Sequence, residues 1–275
     1  MSGLHILFWN MYRKDLSEAL ASIVEEHQPA VVILAECGAT VEVLLNAVNR
    51  TTVRYRFVDM IGDSKLVALT TLSSIQIHCL REEKRYSFWR VKTENSVVTL
   101  CGVHLQSALN YDREELNELI PRLRRDLESV EVFEKHNRSI LIGDFNLEPF
   151  DRGFTSSEGL GAVSSLRLAK RAQARQVAHE TRRVLYNPMW SHLGDRPSEP
   201  EGTYFRSSGI IGYGWRMFDQ ILFCPSVMDV FRDFEVEILR KAGDNDFVDH
   251  RELPDSASAS DHLPIRIHFF ETSLP

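Results

Sequence analysis

The stretch SILIGDFN, residues 139–146, gives the strongest indication of structure in this chain of 275 residues. The run from Ser139 to Gly143 is short, apolar and rich in isoleucine, which predicts a buried strand. Asp144 and Asn146 follow at its end. Aspartate and asparagine are depleted within strands, and a buried charge needs a partner or a metal. The strand is therefore predicted to deliver a carboxylate and an amide to a functional site.

Other apolar runs in the chain end at, or contain, a polar residue in the same way. The residues concerned are Asn10, Glu36, His104, Asp219, Asp261 and His262. If the strands belong to two packed sheets, their ends collect these groups along one rim. Carboxylate and amide oxygens are ligands for a hard cation, and a histidine can share charge with a phosphate or transfer a proton at neutral pH. The pattern predicts a site that surrounds a cation and a phosphate.

Taken singly, several of these residues also have a purely structural interpretation. Asn10 at a strand end reads as a turn residue, because its side chain mimics a backbone turn. His104 in an apolar run reads as a hydrogen-bonded core histidine, and the pair Asp261–His262 reads as a cap. Asp219 inside an apolar strand is harder to explain structurally, since an unpaired carboxylate there is costly.

The rest of the pattern predicts an α/β (α+β) fold. Helical spacing of apolar residues predicts helices over 15–27 and 113–136. Strands are predicted over 4–9, 30–35, 55–60, 65–72, 75–80, 86–92, 97–103, 139–143, 217–224, 234–239 and 264–270. This order favours a four-layered α/β/β/α sandwich, with two packed mixed β-sheets flanked by helices, in a single domain over 1–275. Variable loops are expected near 155–215 and 242–260, the second of them flexible.

Six short motifs occur in order along the chain. They are WN at 9–10, AE at 35–36, VHL at 103–105, GDFN at 143–146, FDQIL at 218–222 and SDHLP at 260–264. Each alone is a weak signal, but the ordered set resembles the signature of the endonuclease/exonuclease/phosphatase superfamily, which includes deoxyribonuclease-I-like enzymes and apurinic endonucleases. The resemblance implies hydrolysis of phosphate esters with Mg²⁺, for which Mn²⁺ would substitute.

The resemblance also implies roles for the metal-binding residues. Glu36 would be the principal metal ligand, with Asn10 beside it and Asp261 nearby. Asp144 would activate or orient the attacking water, or hold a second metal. These are oxygen donors, the ligand type that Mg²⁺ prefers.

The remaining motif residues would act on the phosphate. Asn146 would donate a hydrogen bond to a phosphate oxygen, and His262 would contact the scissile phosphate with Asp219 as its orienting carboxylate. His104 stands where the deoxyribonuclease-I-like and sphingomyelinase-like branches carry a histidine, and it would assist the leaving group as an acid. The sequence leaves open whether Asp144 or His262 is the general base.

Two features bear on the substrate. Residues 165–184 are predicted to form a basic helix, because the segment Arg167–Arg183 within them carries six basic residues against one acid. This helix either tracks a nucleic-acid backbone or is merely solvated. Four aromatic residues precede Asp219 and either stack on bases or pack their own loop. They are Tyr204, Phe205, Tyr213 and Trp215.

Composition limits the class of protein further. The net charge is 32 − 39 = −7, which argues against a long duplex gripped through overall charge. The four cysteines form no CxxC pair, so buried reduced thiols are expected rather than a zinc site or a disulfide framework. No run approaches the ~20 apolar residues that span a bilayer. We therefore expect a cytoplasmic location and no membrane partner.

Three hypotheses of function follow. The first is a metal-dependent nuclease or phosphodiesterase acting on nucleic acid, single-stranded or structured. The second is a phosphomonoesterase or a phospholipid/inositol-phosphate phosphatase, because the same site serves many phosphate esters. The third is a binding module that has kept the fold without catalysis, although every expected site position is filled.

Overall fold

The computed structural model describes residues 3–50, 52–106, 113–177, 179–195, 199–206 and 214–271. In chain order the strands are β1 (Gly3–Asn10), β2 (Val31–Ala35), β3 (Arg56–Phe57), β4 (Leu66–Thr70), β5 (Ile77–Glu83), β6 (Tyr86–Lys92), β7 (Val97–His104), β8 (Ser139–Asp144), β9 (Ala162–Val163), β10 (Ala174–Val177), β11 (Glu180–Arg183), β12 (Leu185–Tyr186), β13 (Tyr204–Phe205), β14 (Trp215–Arg216), β15 (Asp219–Phe223), β16 (Phe231–Ile238), β17 (Lys241–Ala242), β18 (Asn245–Asp246) and β19 (Ile265–Glu271). The helices are α1 (Ser17–His27), α2 (Val41–Val48), α3 (Arg113–Glu134), α4 (Arg152–Thr155) and α5 (Leu166–Ala172), with 3₁₀ turns at Pro188–His192 and Pro225–Asp229.

Most strands belong to two mixed sheets. The first has the order β16-β19-β1-β2-β4-β3, and the second has the order β5-β6-β7-β8-β15-β12-β9. Each sheet contains a parallel pair joined by a helical crossover, β1 with β2 through α1 and β7 with β8 through α3. The other neighbours described here are antiparallel, apart from the short pair β9 and β12.

The two sheets pack face to face, and helices cover their outer faces. Gly102 on β7 lies so close to Ile33 on β2 that an added Cβ would come within 3.1 Å of the isoleucine side chain. On the outer face of the second sheet, Leu123 and Leu127 of α3 are buried in one cluster with Phe88 and other strand residues. Helices α1 and α2 bury their apolar residues with the first sheet. The predicted α/β/β/α sandwich is confirmed.

The predicted helices over 15–27 and 113–136 are confirmed as α1 and α3, and the predicted strands are found with ends shifted by a few residues. The pattern missed α2, which is only eight residues long and begins where the Thr40 side chain accepts a hydrogen bond from Val43 N. None of the helices in the described ranges is long and apolar enough to cross a membrane, and the four cysteines are unpaired.

The prediction of one basic helix over 165–184 is wrong. Helix α5 ends at Ala172, and the left-handed residue Gln173 turns the chain into the hairpin of β10 and β11. Arg183, at the end of this hairpin, forms an ion pair with the buried Glu131 of α3. The tertiary contact overrides the local helical preference of the sequence. The variable loop predicted near 155–215 therefore contains regular structure.

The acidic segment 242–260 is also more ordered than predicted. Asp255 accepts hydrogen bonds from Ala257 N and Ser258 Oγ, and the ammonium of Lys14 donates to the carbonyl oxygen of Ala259 at 2.9 Å. The acidic side chains of this segment cap turns. Their abundance in the sequence had predicted a flexible segment instead.

Gly143 occupies a position in β8 that admits no side chain. It is the register partner of Val103 on β7, and an added Cβ would lie 1.9 Å from the Val103 carbonyl oxygen. We expect Gly143→Ala to lower the free energy of unfolding by about 3 kcal/mol or more, because backbone must move to relieve the overlap. Urea unfolding measures this change. Gly62→Ala is the matched control, since its Cβ would meet no atom closer than 3.8 Å; equal stability of the two variants would contradict the packing described here.

Candidate active site

Strand register brings three of the predicted residues side by side on the second sheet. His104 at the end of β7 is the parallel register partner of Asp144 at the end of β8. Asp219 at the start of β15 is the antiparallel partner of the same Asp144. The order β7-β8-β15 therefore places an imidazole and two carboxylates in adjacent positions at one edge of the sheet.

The first sheet presents its residues to the same edge. Asn10 ends β1 and pairs in register with Ala35, the last residue of β2, so that Glu36 follows beside Asn10. Asn10 Nδ2 donates a hydrogen bond to Asp144 Oδ2 at 3.1 Å, and His104 Nε2 lies 3.3 Å from Glu36 Oε1. These two contacts join the edges of the two sheets into one site.

The segment 260–262, which precedes β19, is bonded to β1 beside these residues. Ser260 Oγ donates to the Asn10 carbonyl oxygen at 2.6 Å and accepts from His262 N at 3.1 Å. The indole of Trp9 donates to the His262 carbonyl oxygen at 2.9 Å. All of these groups are buried, so their hydrogen bonds fix the backbone of the segment relative to β1.

His262 lies between two buried carboxylates. Its Nδ1 donates to Asp219 Oδ2 at 2.7 Å, and its Nε2 is 4.0 Å from Asp144 Oδ2. Burial alone would lower the pKa of His262, but the charges of Asp219 and Asp144 outweigh burial and raise the pKa to about 10. The imidazole is therefore held as an imidazolium at neutral pH.

Residues next to and within β13 contact Asp219 and His262. Thr203 Oγ1 accepts a hydrogen bond from Asp219 N at 3.0 Å, and the ring of Tyr204 lies 4.8 Å from the ring of His262. Tyr204 in turn stacks on Phe218 at 5.3 Å. These contacts restrict the orientation of the imidazole.

Asp144 is almost completely buried, and burial raises its pKa, with the nearby Asp219 charge adding to the effect and the His262 charge opposing it. Asp144 Oδ1 accepts from Asn146 N at 2.9 Å. The Asn146 side chain donates to the Leu105 carbonyl oxygen at 3.1 Å, and its backbone has the left-handed φ of 53°. A strained, well-bonded turn thus follows the strand end, as is common at functional sites.

Glu36 lies on the solvent side of the site. A hydrogen bond from His104 lowers its pKa to about 2, against the opposing effect of partial burial, and Arg13 adds to the lowering. Arg13 Nε donates to Glu36 Oε2 at 3.0 Å. Glu36 is therefore ionised throughout the physiological pH range and can serve as a cation ligand.

The donor groups of the site fit a divalent cation. Two carboxylate oxygens, Asp219 Oδ1 and Asp261 Oδ1, are buried without a hydrogen-bond partner among the described residues. A buried carboxylate oxygen without a partner is costly, and a bound cation would relieve that cost. Ligand atoms of Asp144, Asp219 and His262 also lie within 4.8 Å of one another. His262 is already bonded to Asp219 in this group, so the oxygen donors are the better ligands for a hard cation.

The structure brings all the predicted site residues together. Sequence reasoning assigned no role to Ser260, Thr203 or Arg13, which bond to Asn10, Asp219 and Glu36. Ser260 lies within the quoted SDHLP motif, so only its contact was missing; Thr203 and Arg13 carry no comparable local signal. Of the four aromatic residues, Tyr204 contacts the site, Phe205 packs against Trp215, and Tyr213 lies outside the described residues.

The basic segment Arg167–Arg183 does not border the site. Helix α5 contacts the turn Pro225–Asp229, which follows Phe223 at the end of β15 away from Asp219. Four strand residues at about 3.4 Å each separate the two ends of β15, a distance of about 14 Å. A nucleic acid would have to extend this far to reach both regions.

Comparison of the sequence with protein-family models gave no match, and comparison with curated proteins gave none either. Solved structures do match. TDP2 from D. rerio, complexed with a single-strand DNA product, is 18% identical with a TM-score of 0.57 over 98% of this chain and 99% of that chain. The human Nocturnin catalytic domain with a bound sulfate anion is 16% identical, with a TM-score of 0.55 over 98% and 95% of the two chains.

A third structure, an endonuclease/exonuclease/phosphatase family protein from Leptotrichia buccalis C-1013-b, is 12% identical with a TM-score of 0.51 over 97% of this chain and 99% of that chain. At such low identity the likeness concerns the course of the backbone and not the activity. The resemblance of the six motifs and the likeness of the structures agree. The chain has the deoxyribonuclease-I-like fold of the endonuclease/exonuclease/phosphatase proteins.

Proposed function

We propose that the chain is a divalent-metal-dependent phosphodiesterase that hydrolyses phosphate esters of nucleic acid or nucleotides. The observation that carries the proposal is the buried group of Asp144, His262 and Asp219. Asn10 of the other sheet bonds to Asp144, and Glu36 contacts His104, the register neighbour of Asp144. A purely structural role does not account for two carboxylates and an imidazolium buried at one edge of the sandwich, because burying charge is costly.

The protein groups divide the work of hydrolysis. His262, kept charged by Asp219, donates a hydrogen bond from Nε2 to a phosphoryl oxygen and stabilises the charge that develops there. An imidazolium has no free lone pair, so it does not accept a proton from water. Asp144 therefore serves as the general base, and its raised pKa suits proton transfer near neutral pH.

Glu36, Asn10 and Asp261 would hold the metal, which we propose to be Mg²⁺, with Mn²⁺ as a substitute. When bound, the metal neutralises phosphate charge and lowers the pKa of its bound water. His104 positions Glu36 through the 3.3 Å contact and keeps its carboxylate ionised. The second amide hydrogen of Asn146 supplies a further donor for a phosphate oxygen.

Two observations favour nucleic acid or nucleotides as the substrate. The similar D. rerio TDP2 structure holds a single-strand DNA product. Aromatic side chains line the hairpin of β13 and β14 next to His262, and bases stack on such side chains. The net charge of −7 favours short or single-stranded substrates over long duplexes.

The test is hydrolysis of bis(p-nitrophenyl) phosphate, short oligonucleotides, p-nitrophenyl phosphate and a soluble inositol phosphate, each with Mg²⁺, with Mn²⁺ and with excess chelator. We expect hydrolysis of the diesters with metal and none with chelator. Hydrolysis confined to the monoester or to the inositol phosphate would instead support the phosphatase hypothesis. Hydrolysis of none of these substrates would support the binding module.

The variant Glu36→Gln tests the metal site separately. Because a neutral amide binds Mg²⁺ far more weakly than a carboxylate, we expect the concentration of Mg²⁺ needed for half-maximal rate to rise by about 100-fold or more. Isothermal titration with Mn²⁺ provides a readout that does not depend on turnover. Glu25→Gln, at an exposed position of α1, is the control. Equal Mn²⁺ affinity in the two variants would exclude Glu36 as a ligand.

A further inference from the structure

A cavity of about 740 Å³ lies beside the site and plays no part in the chemistry described above. Its volume is within the usual range for a small-molecule pocket. Three aromatic and three acidic residues account for most of the functional groups in its lining. They are Phe150, Phe205, Trp215, Glu148, Asp195 and Glu201.

The cavity and the site share the hairpin of β13 and β14 as a wall. Tyr204 and Phe205 are consecutive strand residues, so their side chains point to opposite faces. Tyr204 contacts His262 on one face, and Phe205 lines the cavity on the other. Glu148 at the cavity follows Asn146 by two residues, which places their Cα atoms at most about 7 Å apart. A substrate bound at His262 therefore reaches the cavity within one or two nucleotides.

The aromatic residues form a surface on which a planar group can stack. Phe205 and Trp215 are register partners, and their ring centroids are 5.6 Å apart in an edge-to-face arrangement. Gly214 makes room for this arrangement, because a Cβ there would lie 2.3 Å from the Phe205 ring. Phe150 is 48% exposed at the cavity although it is a large apolar side chain. A planar ligand would cover this exposed aromatic surface.

The charges of the described residues that line the cavity disfavour a phosphate. Among the described residues that line it there is no lysine or arginine, whereas Asp195 and Glu201 are exposed carboxylates. The third carboxylate, Glu148, is buried and bonded to Arg216 and to Met217 N. Exposed carboxylates accept hydrogen bonds from amino groups and repel phosphate. An uncharged ring that carries an amino group meets both requirements.

We propose that this cavity binds a nucleobase with an exocyclic amino group, that is adenine, cytosine or guanine in preference to uracil, on the nucleotide chain whose phosphate lies at His262. The inference rests on the proposed phosphodiesterase function and assigns its specificity. The base stacks on the aromatic surface of Phe205 and Trp215, and its amino group donates to Asp195 or Glu201.

The kinetic test uses three esters with the same leaving group: the p-nitrophenyl esters of adenosine 5′-phosphate and uridine 5′-phosphate, and methyl p-nitrophenyl phosphate, which has no base. We expect kcat/KM to decrease in that order. Trp215→Ala should lower kcat/KM for the adenosine ester by about 5- to 150-fold, the range expected for the loss of one base stack, and leave the base-free ester unchanged. Phe133→Ala, which removes an exposed phenylalanine of α3, is the control.

A second pair of variants tests the amino-group contact. Asp195→Ala combined with Glu201→Ala should reduce the preference for the adenosine ester over the uridine ester to about one, since the acceptors for the amino group are gone. The same loss from Trp215→Ala on all three esters, or a parent protein without preference for a base, would overturn the proposal.

Direct binding separates a failure of the cavity from a failure of the proposed function. Isothermal titration without metal compares AMP with ribose 5-phosphate. If no ester is hydrolysed but AMP binds more tightly than ribose 5-phosphate, and Trp215→Ala removes the difference, the cavity is supported and the hydrolase function is refuted. If the esters are hydrolysed but AMP and ribose 5-phosphate bind alike, the cavity proposal is refuted.

Discussion

The variant Asp144→Asn is expected to hydrolyse a phosphodiester about 10²- to 10⁴-fold more slowly than the parent protein, the range attributed to a general base. Asparagine has nearly the shape of aspartate but a single side-chain oxygen, so only one of the two hydrogen bonds from Asn10 Nδ2 and Asn146 N keeps its acceptor. The variant also removes the negative charge that accepts a proton from water. The measurement is kcat for bis(p-nitrophenyl) phosphate at saturating Mg²⁺.

Stability must be measured in parallel for Asp144→Asn. Replacing the buried carboxylate by a neutral amide removes a cost of burying charge, which offsets the loss of one hydrogen bond, so we expect only a small change in the urea midpoint. Asp229→Asn, at an exposed position of the turn after β15, provides the control for the chemical change alone. A folded Asp144→Asn protein with the kcat of the parent would exclude Asp144 as the base.

The second large effect is expected for Asp219→Asn. The carboxylate of Asp219 is the strongest of the influences that raise the pKa of His262 toward 10. Without it burial is less opposed, so the pKa of His262 falls and the imidazolium is lost at a lower pH. Because the proposed role of His262 requires the charged form, the alkaline limb of the kcat/KM profile should move to lower pH, and kcat at pH 8 should fall by about 10²-fold or more.

The pH profile distinguishes this positioning role from a merely structural one. A variant that only loosens the fold lowers the rate at every pH, whereas Asp219→Asn should shift the alkaline limb. His262→Gln cannot titrate and should have no limb attributable to the imidazole. An alkaline limb at the same pH in Asp219→Asn and in the parent would show that Asp219 does not control the charge of His262.

The site residues at strand ends were predicted well from the local sequence. Asp144 and Asn146 follow an apolar run, and an acid after such a run has few structural explanations. The motifs also gave the order of the polar residues along the chain. The sequence did not show which strands are neighbours, because the pairing of β8 with β15 joins residues that are 75 to 83 positions apart.

Tertiary contacts explain why the predicted basic helix over 165–184 was wrong and why two contacts of the site were missed. The segment after Ala172 has helical composition, yet Arg183 pairs with the buried Glu131 and the chain forms a hairpin instead. Ser260 and Thr203 were not recognised because their roles depend on hydrogen bonds to residues distant in sequence or across a turn. Such contacts leave no periodic pattern, so only coordinates reveal them.

One measurement tests most directly whether Asp144 and His262 form a single hydrolytic centre. It is a double-mutant cycle on kcat/KM for bis(p-nitrophenyl) phosphate with Mg²⁺, comparing the parent, Asp144→Asn, His262→Gln and the double variant. Residues that act as a unit in one transition state are strongly non-additive. We expect the double variant to be within about 10-fold of the slower single variant. Losses that multiply in the double variant, or single variants as active as the parent, would contradict the account.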